Sequence, residues 1–222
     1  MSAYFITSTG TDIGKTFTTC ALLHGAQNSG RAARAIKPLI TGWKDGAAND
    51  TQALIEAANI GQTVAEVSPL RFAAPLSPHR AAVMDNASID THALEQKCHQ
   101  EIMATPRDAL LLIEGAGGVM VPIAPPYGML DLMAALRVPA ILVVGSYLGT
   151  ISHTLTALAA LQMRLIPVHA VVMCESAGSS VTLNEAEAGL FPLLPHLPLR
   201  VVQPLVSSWR EANEIQALAR QL

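Results

Sequence analysis

The segment Thr9-Gly10-Thr11-Asp12-Ile13-Gly14-Lys15-Thr16 lies between a short apolar run and a helical pattern. A strand, a glycine-bearing turn, Gly-Lys-Thr and a helix, in that order, are what a phosphate cradle requires. Gly14 lets the backbone pass close to an anion, which successive N–H groups and the helix N-terminus then bind. Lys15 is expected to reach the β- and γ-phosphates of a nucleotide, and the Thr16 hydroxyl to bind Mg²⁺. The loop is a variant. Thr9 stands five positions before Gly14, where a glycine is usual, and a glycine sits at Gly10 instead. The alternative is a Gly-rich turn that only caps a helix; the order of the four parts weighs against it.

Phosphoryl transfer also needs a metal that bridges phosphate oxygens, and Mg²⁺ usually takes one or two protein carboxylates. Glu114 directly follows the apolar run Ala109–Ile113. A carboxylate ending a buried strand is costly unless a cation meets it. Asp50 opens a helical pattern after the polar stretch 44–49; it is a second metal acid or, equally on local grounds, a helix N-cap. Gly115-Ala116-Gly117-Gly118 follows Glu114, and three glycines in four positions suggest close backbone approach to a ligand. Lys37, after another strand pattern, is placed to stabilise transferring charge or is a solvated surface lysine.

These residues must be held by a sheet. Short β-branched runs alternate with longer helical patterns, which predicts a mostly parallel sheet flanked by helices on both faces. Strands are expected at 4–7, 33–36, 109–113, 140–144, 168–173 and 199–203. Helices are expected at 16–28, 50–58, 91–104, 130–136, 152–163, 182–194 and 209–222, and the Pro-rich 122–126 as a loop. Residues 1–222 read as one domain. The polar clusters fall at or just after the strands' carboxyl ends, where ligands bind on such sheets.

Composition removes several classes. Half of the residues are apolar and 14% charged, too apolar for a disordered chain. The net charge is −3, with no basic excess to coat nucleic acid. No apolar run is long enough to cross a membrane. Three widely spaced cysteines without a CxxC pair suit a reducing cytoplasm. The start, MSAYFITSTG, lacks a charged stretch followed by a long apolar run, so no export signal is expected.

As a set, these segments resemble the dethiobiotin synthetases. The matching pieces are the Gly10–Thr16 loop, Lys37-Pro38-x-x-Thr41-Gly42, Asp50, Ala74-Pro75-x-Ser77-Pro78-His79, Glu114-Gly115-Ala116-Gly117-Gly118, and Leu148-Gly149-Thr150-Ile151-Ser152-His153. They follow the family's order and spacing from residue 4 to about residue 175, while the chain from Ser176 on matches poorly. The resemblance implies a P-loop NTPase fold and use of ATP with Mg²⁺. Nucleotide contacts are implied for Gly10, Thr11, Asp12, Ile13, Gly14, Lys15, Thr16, Phe17, Asp50, Glu114, Gly117 and Cys174. Thr16, Asp50 and Glu114 would hold the metal, and Lys37 and Lys15 would be catalytic.

Substrate contacts are implied for Thr41, Gly115, Ala116, Gly117, Gly118, Gly149, Thr150 and Ser152. The last three open a helix suited to a carboxylate tail, in the same or the neighbouring subunit, because members of that family work as homodimers. The alternative for Ser152 and His153 is helix capping. His79 is implied near the site, and Asp12 stands where the family often has Glu. The implied reaction takes 7,8-diaminononanoate and CO₂ or bicarbonate through a carbamate and a carbamic–phosphoric anhydride to a cyclic urea.

Two departures matter. Ser8 replaces a glycine common in the family's loop. Cys174 stands where many members have an Asn that reads the adenine edge, and Cys is a weak donor and acceptor, which opens the site to other nucleoside triphosphates. One rival is a regulatory or partitioning ATPase with a deviant loop. That group carries a signature lysine where Thr9 stands, and often ends in a basic amphipathic helix, whereas 211–220 is mixed in charge. A non-catalytic nucleotide-binding module is the other rival.

Overall fold

The computed structural model describes residues 2–222. Its centre is a six-stranded sheet in which every neighbouring pair is parallel. Its strands are β1 (Ser2–Ser8), β2 (Ala33–Ile36), β5 (Leu110–Glu114), β8 (Ala140–Gly145), β9 (Val168–Cys174) and β10 (Leu199–Gln203), in the order β10-β9-β8-β1-β5-β2. β5 and β8 read LLLIE and AILVVG and are buried throughout, as strands covered on both faces require.

Alternation along each strand feeds two cores. Tyr4, Ile6, Leu110 and Leu112 face α1 (Lys15–Asn28), α2 (Asp50–Ala58) and α9 (Asn213–Ala219). Phe5, Leu111 and Ile113 face α5 (Thr91–Ala104), α6 (Met129–Leu136), α7 (Thr150–Met163) and α8 (Leu183–Leu190). α1 lies deep between the sheet, α2 and α9. A β-carbon on Gly25 of α1 would come within 2.5 Å of the Gln216 carbonyl oxygen, so only glycine lets α9 approach this closely.

β1 sits between β5 and β8, so the loops leaving three adjacent strands open at one edge. Smaller pieces complete that edge. β3 (Leu39–Thr41) pairs in parallel with β4 (Leu70–Phe72), α4 (Pro78–Met84) packs against both, and α3 (Val64–Val67) lies by α2 and β2.

Several element boundaries differ from expectation. The Pro-rich stretch is no plain loop: β6 (Pro122–Ala124) and β7 (Tyr127–Gly128) form a small antiparallel hairpin around a cis Pro125–Pro126 bond. The expected helix 182–194 ends at Leu190 and tightens into a 3₁₀ turn at Phe191–Leu193, where Pro192 cannot donate to an α-helical ladder. The expected helix 209–222 is a 3₁₀ turn at Trp209–Glu211 and then α9, separated by Ala212 at φ −77° and ψ 64°.

Candidate functional site

The phosphate loop leaves β1 after Ser8 and enters α1 at Lys15. Gly14 takes φ 110°, a left-handed conformation that glycine adopts at no steric cost. α1 has no side-chain cap and no acid in its first turn. Its first N–H groups therefore face the edge without a competing side-chain acceptor, which suits an incoming anion.

Lys15 is buried and folds back over its own loop, donating to Ser8 Oγ at 3.0 Å and to the Gly10 carbonyl at 3.2 Å. The Ser8 hydroxyl in turn bonds the Gly10 carbonyl. Burial brings the Lys15 ammonium down to about 8, against a partial rise from Glu114. The serine that departs from the family pattern is thus the partner of the loop lysine.

One fully buried carboxylate organises the floor. Glu114, at the end of β5, accepts from Thr16 Oγ1 at 2.7 Å and from Lys37 Nζ at 2.8 Å on Oε1. Thr19 Oγ1 lies 2.6 Å from its Oε2 and 3.0 Å from the Lys15 carbonyl. Lys37 directly follows β2, with its ammonium between Glu114 and Asp50. Burial opposes that charge, but the two carboxylates outweigh it and hold Lys37 above the ordinary lysine value. Burial likewise opposes the Asp50 charge, and Lys37 outweighs it, keeping Asp50 below the usual carboxylate value. Asn49, not Asp50, caps α2, its side chain accepting from the Gln52 N–H at 3.1 Å. Asp50 is therefore free of the capping role and turned to the lysine.

Two cavities meet at the loop. The larger, of about 870 Å³, is lined by Thr11, Asp12, Gly14, Lys15, Thr16, Phe17, Lys37, Thr41, Asp50, Ala116 and Gly117 among the expected residues. Pro75, Ser77, Pro78 and Val121 join them. Asp12, Gly14 and Phe17 also border a second cavity of about 400 Å³, whose wall includes Ile13, Cys174, Glu175, Ser176 and Gln203–Val206. Burial pushes the Cys174 thiol up to about 11, so it stays protonated. Its sulfur is 3.6 Å from Thr18 Oγ1 and packs against Gly14.

Other expected residues are placed differently. Gly115 and Gly118 line neither cavity. A β-carbon on Gly115 would sit 2.9 Å from the Phe5 ring, and one on Gly118 3.3 Å from the Gly10 backbone, so glycine at both positions lets the loop pack closely. Gly10 is in the same contact and holds Lys15. Glu114 lies beneath the larger cavity. Gly149, Thr150 and Ser152, at the start of α7, reach neither cavity of the single chain; Thr150 Oγ1 donates to the Gly145 carbonyl. Tyr147 hydroxyl links this region to the loop, 3.3 Å from Thr9 Oγ1 and 2.9 Å from His153 Nδ1. His79 lies on α4 without lining either cavity.

Thr19 was not anticipated. The signal was present, because Thr16 and Thr19 are three apart and share a helix face. Gln203 lay in the poorly matching segment and carried no motif.

Among the described residues no three His, Cys, Asp or Glu side chains gather to cage a metal. The donors at hand are the Thr16 hydroxyl and the Asp50 and Glu114 carboxylates, already collected around one ammonium. That set fits Mg²⁺, which keeps waters and takes phosphate oxygens for its other positions.

Residues 2–203 match a family model described as an AAA domain. The chain is 42% identical over 218 residues to the ATP-dependent dethiobiotin synthetase BioD of Caulobacter sp. (strain K31), covering 94% of this chain and 90% of that protein. It is 38% identical over 221 residues to the protein of the same name from Caulobacter vibrioides (strain NA1000 / CB15N), covering 98% and 99%. Among solved structures it is similar to the cell division ATPase MinD of Pyrococcus furiosus, with TM-score 0.59, 16% identity and 100% and 99% of the chains covered. A ParA family ATPase from Chlorobium tepidum TLS gives TM-score 0.56 at 11% identity, covering 100% and 99%. These last two likenesses concern the fold alone.

Proposed function

The chain belongs to the dethiobiotin synthetase family, and on that premise we propose that it is an ATP- and Mg²⁺-dependent ligase acting on 7,8-diaminononanoate and CO₂. One observation carries this reading: Lys15, Thr16, Lys37, Asp50 and Glu114, from the ends of two strands and the starts of two helices, converge at the floor of one cavity.

In this reading the loop N–H groups and Lys15 bind the β- and γ-phosphates, and Lys15 exchanges Ser8 and the Gly10 carbonyl for phosphate oxygens. Thr16, Asp50 and Glu114 would hold Mg²⁺, which would supply neutralisation of phosphate charge. One substrate amine adds to CO₂ and loses a proton, giving a carbamate. A carbamate oxygen attacks the γ-phosphorus and ADP leaves. The second amine attacks the carbamoyl carbon, phosphate departs, and the five-membered urea closes with loss of a proton. Lys37 stands where carbamate and γ-phosphate would meet and stabilises the charge moving between them. Thr41, Ala116 and Gly117, on the cavity wall, orient the diamine.

The carboxylate tail needs a further group. Leu148 is 81% exposed, and Ile151 and Leu155 of α7 are also exposed. A homodimer covering this apolar patch would bring the adjacent Gly149, Thr150 and Ser152 to a second subunit's substrate. No helix among the described residues is long and apolar enough to cross a membrane. The three cysteines are free and buried, which suits a reducing cytoplasm.

The test is incubation with diaminononanoate, bicarbonate, Mg²⁺ and ATP, with the product identified by mass. A partitioning-type ATPase would hydrolyse ATP at a rate indifferent to the diamine. That outcome would overturn the ligase reading.

A further inference from the structure

Position 8 decides where the loop lysine rests. Ser8 is the last residue of β1 and is fully buried. Its backbone is pinned from two sides: it pairs with Val143 of β8, and its carbonyl accepts from the Val119 N–H at 3.1 Å. Lys15 Nζ donates to Ser8 Oγ at 3.0 Å and to the Gly10 carbonyl at 3.2 Å. An ammonium can only donate, so the serine oxygen accepts there and its own hydrogen is left for a carbonyl. The Gly10 carbonyl takes it, with the Gly117 carbonyl as a second neighbour at 3.3 Å. Ammonium, hydroxyl and Gly10 carbonyl thus close a triangle inside the loop.

Lys15 also borders the larger cavity, whereas Ser8 borders neither cavity. An ammonium has three hydrogens, and two are engaged with the loop. Gripping oxygens of both the β- and the γ-phosphate therefore requires Lys15 to release loop contacts. A contact made only by the free protein weakens binding by its own free energy. The glycine common in the family at this position would leave Lys15 the Gly10 carbonyl alone. Serine stabilises the loop before a phosphate arrives and adds nothing to the phosphate-bound loop.

We infer that Ser8 is a docking group that takes back the Lys15 ammonium as phosphates leave, lowering nucleotide affinity and speeding the release of ADP. Ser8 is a positioning residue: it touches no ligand and acts through Lys15. The inference rests on the nucleotide-binding part of the ligase reading.

The test measures ATP and ADP affinities by calorimetry and ADP release by stopped-flow displacement, without diamine or bicarbonate. Thermal melting of the nucleotide-free chain is recorded beside them. Ser8→Ala should bind both nucleotides about tenfold tighter than the wild type, the order expected for one hydrogen bond to a charged group. ADP should leave it about tenfold more slowly. The same variant should melt at a lower temperature without nucleotide. Those opposite signs separate docking from a damaged loop, which would lose affinity and stability together. Ser8→Cys keeps a weak acceptor and should fall between the wild type and Ser8→Ala. If Ser8→Ala fails to fold, Ser8→Gly carries the test and should also bind more tightly than the wild type. Unchanged or weaker nucleotide affinity in the variants, or Ser8→Cys binding tighter than Ser8→Ala, would overturn the assignment. A wild-type chain that binds neither nucleotide would sink it together with the nucleotide-binding reading. Product formation from the diamine is assayed separately; its failure sinks the ligase reading and leaves the affinities legible.

Discussion

Thr16 Oγ1 donates to Glu114 Oε1 at 2.7 Å, joining the first turn of α1 to the last residue of β5 across 98 positions of sequence. The same oxygen accepts from Lys37. Phosphate loop, acidic strand end and second lysine thus share one atom, and disturbing any one of them alters the other two.

Lys37→Ala should lower kcat about 10²-fold or more, the order seen on losing a donor that stabilises developing charge. It also leaves two carboxylates facing each other without their cation, and breaking such a buried pair costs about 3–5 kcal/mol. Steady-state kinetics and thermal melting separate the two effects. Near-normal turnover would remove Lys37 from the mechanism.

Glu114→Ala should move the Mg²⁺ activation curve to much higher concentration, because only Thr16 and Asp50 remain as protein ligands. The readout is rate against Mg²⁺ at saturating ATP. An unchanged curve would show that Glu114 is not a ligand and serves only to hold Lys37.

Nucleotide binding should take up protons above neutrality. Burial lowers Lys15 to about 8 in the ligand-free chain, while phosphate oxygens favour its charged form. Between about 8 and the ordinary lysine value near 10.5 the unfolded chain binds more protons at this site than the folded chain, so the ligand-free protein gains stability there as pH rises. ATP affinity should fall over the same window. Calorimetry in two buffers of different ionisation enthalpy measures the uptake; no buffer dependence at pH 8 would refute it.

Gly25→Ala should destabilise the fold by about 1–3 kcal/mol, the usual cost of overpacking, because the new methyl group meets backbone of α9 and not a mobile side chain. A shift of the urea midpoint at constant slope is the measurement. A neutral result would mean that α9 yields at little cost.

The sheet and the site were legible to different degrees. The strands of the central sheet could be read because they are buried on both faces and bounded by turn residues. Lys15, Thr16, Lys37, Asp50 and Glu114 could be read because each follows or opens a regular element. The hairpin at Pro122–Gly128 could not, since proline removes the donors by which strands are recognised. Nor could the break at Ala212, where the helical pattern continues and a single backbone turn decides. The close packing of Gly115 on Phe5 and of Gly118 on Gly10 could not be read either, because it joins segments far apart in sequence.

Cys174 and Gln203 stand side by side at the ends of β9 and β10, and both line the second cavity. Two last residues of neighbouring parallel strands border one pocket from almost the same place, so a change of side chain at either one reshapes the same wall without any change of backbone.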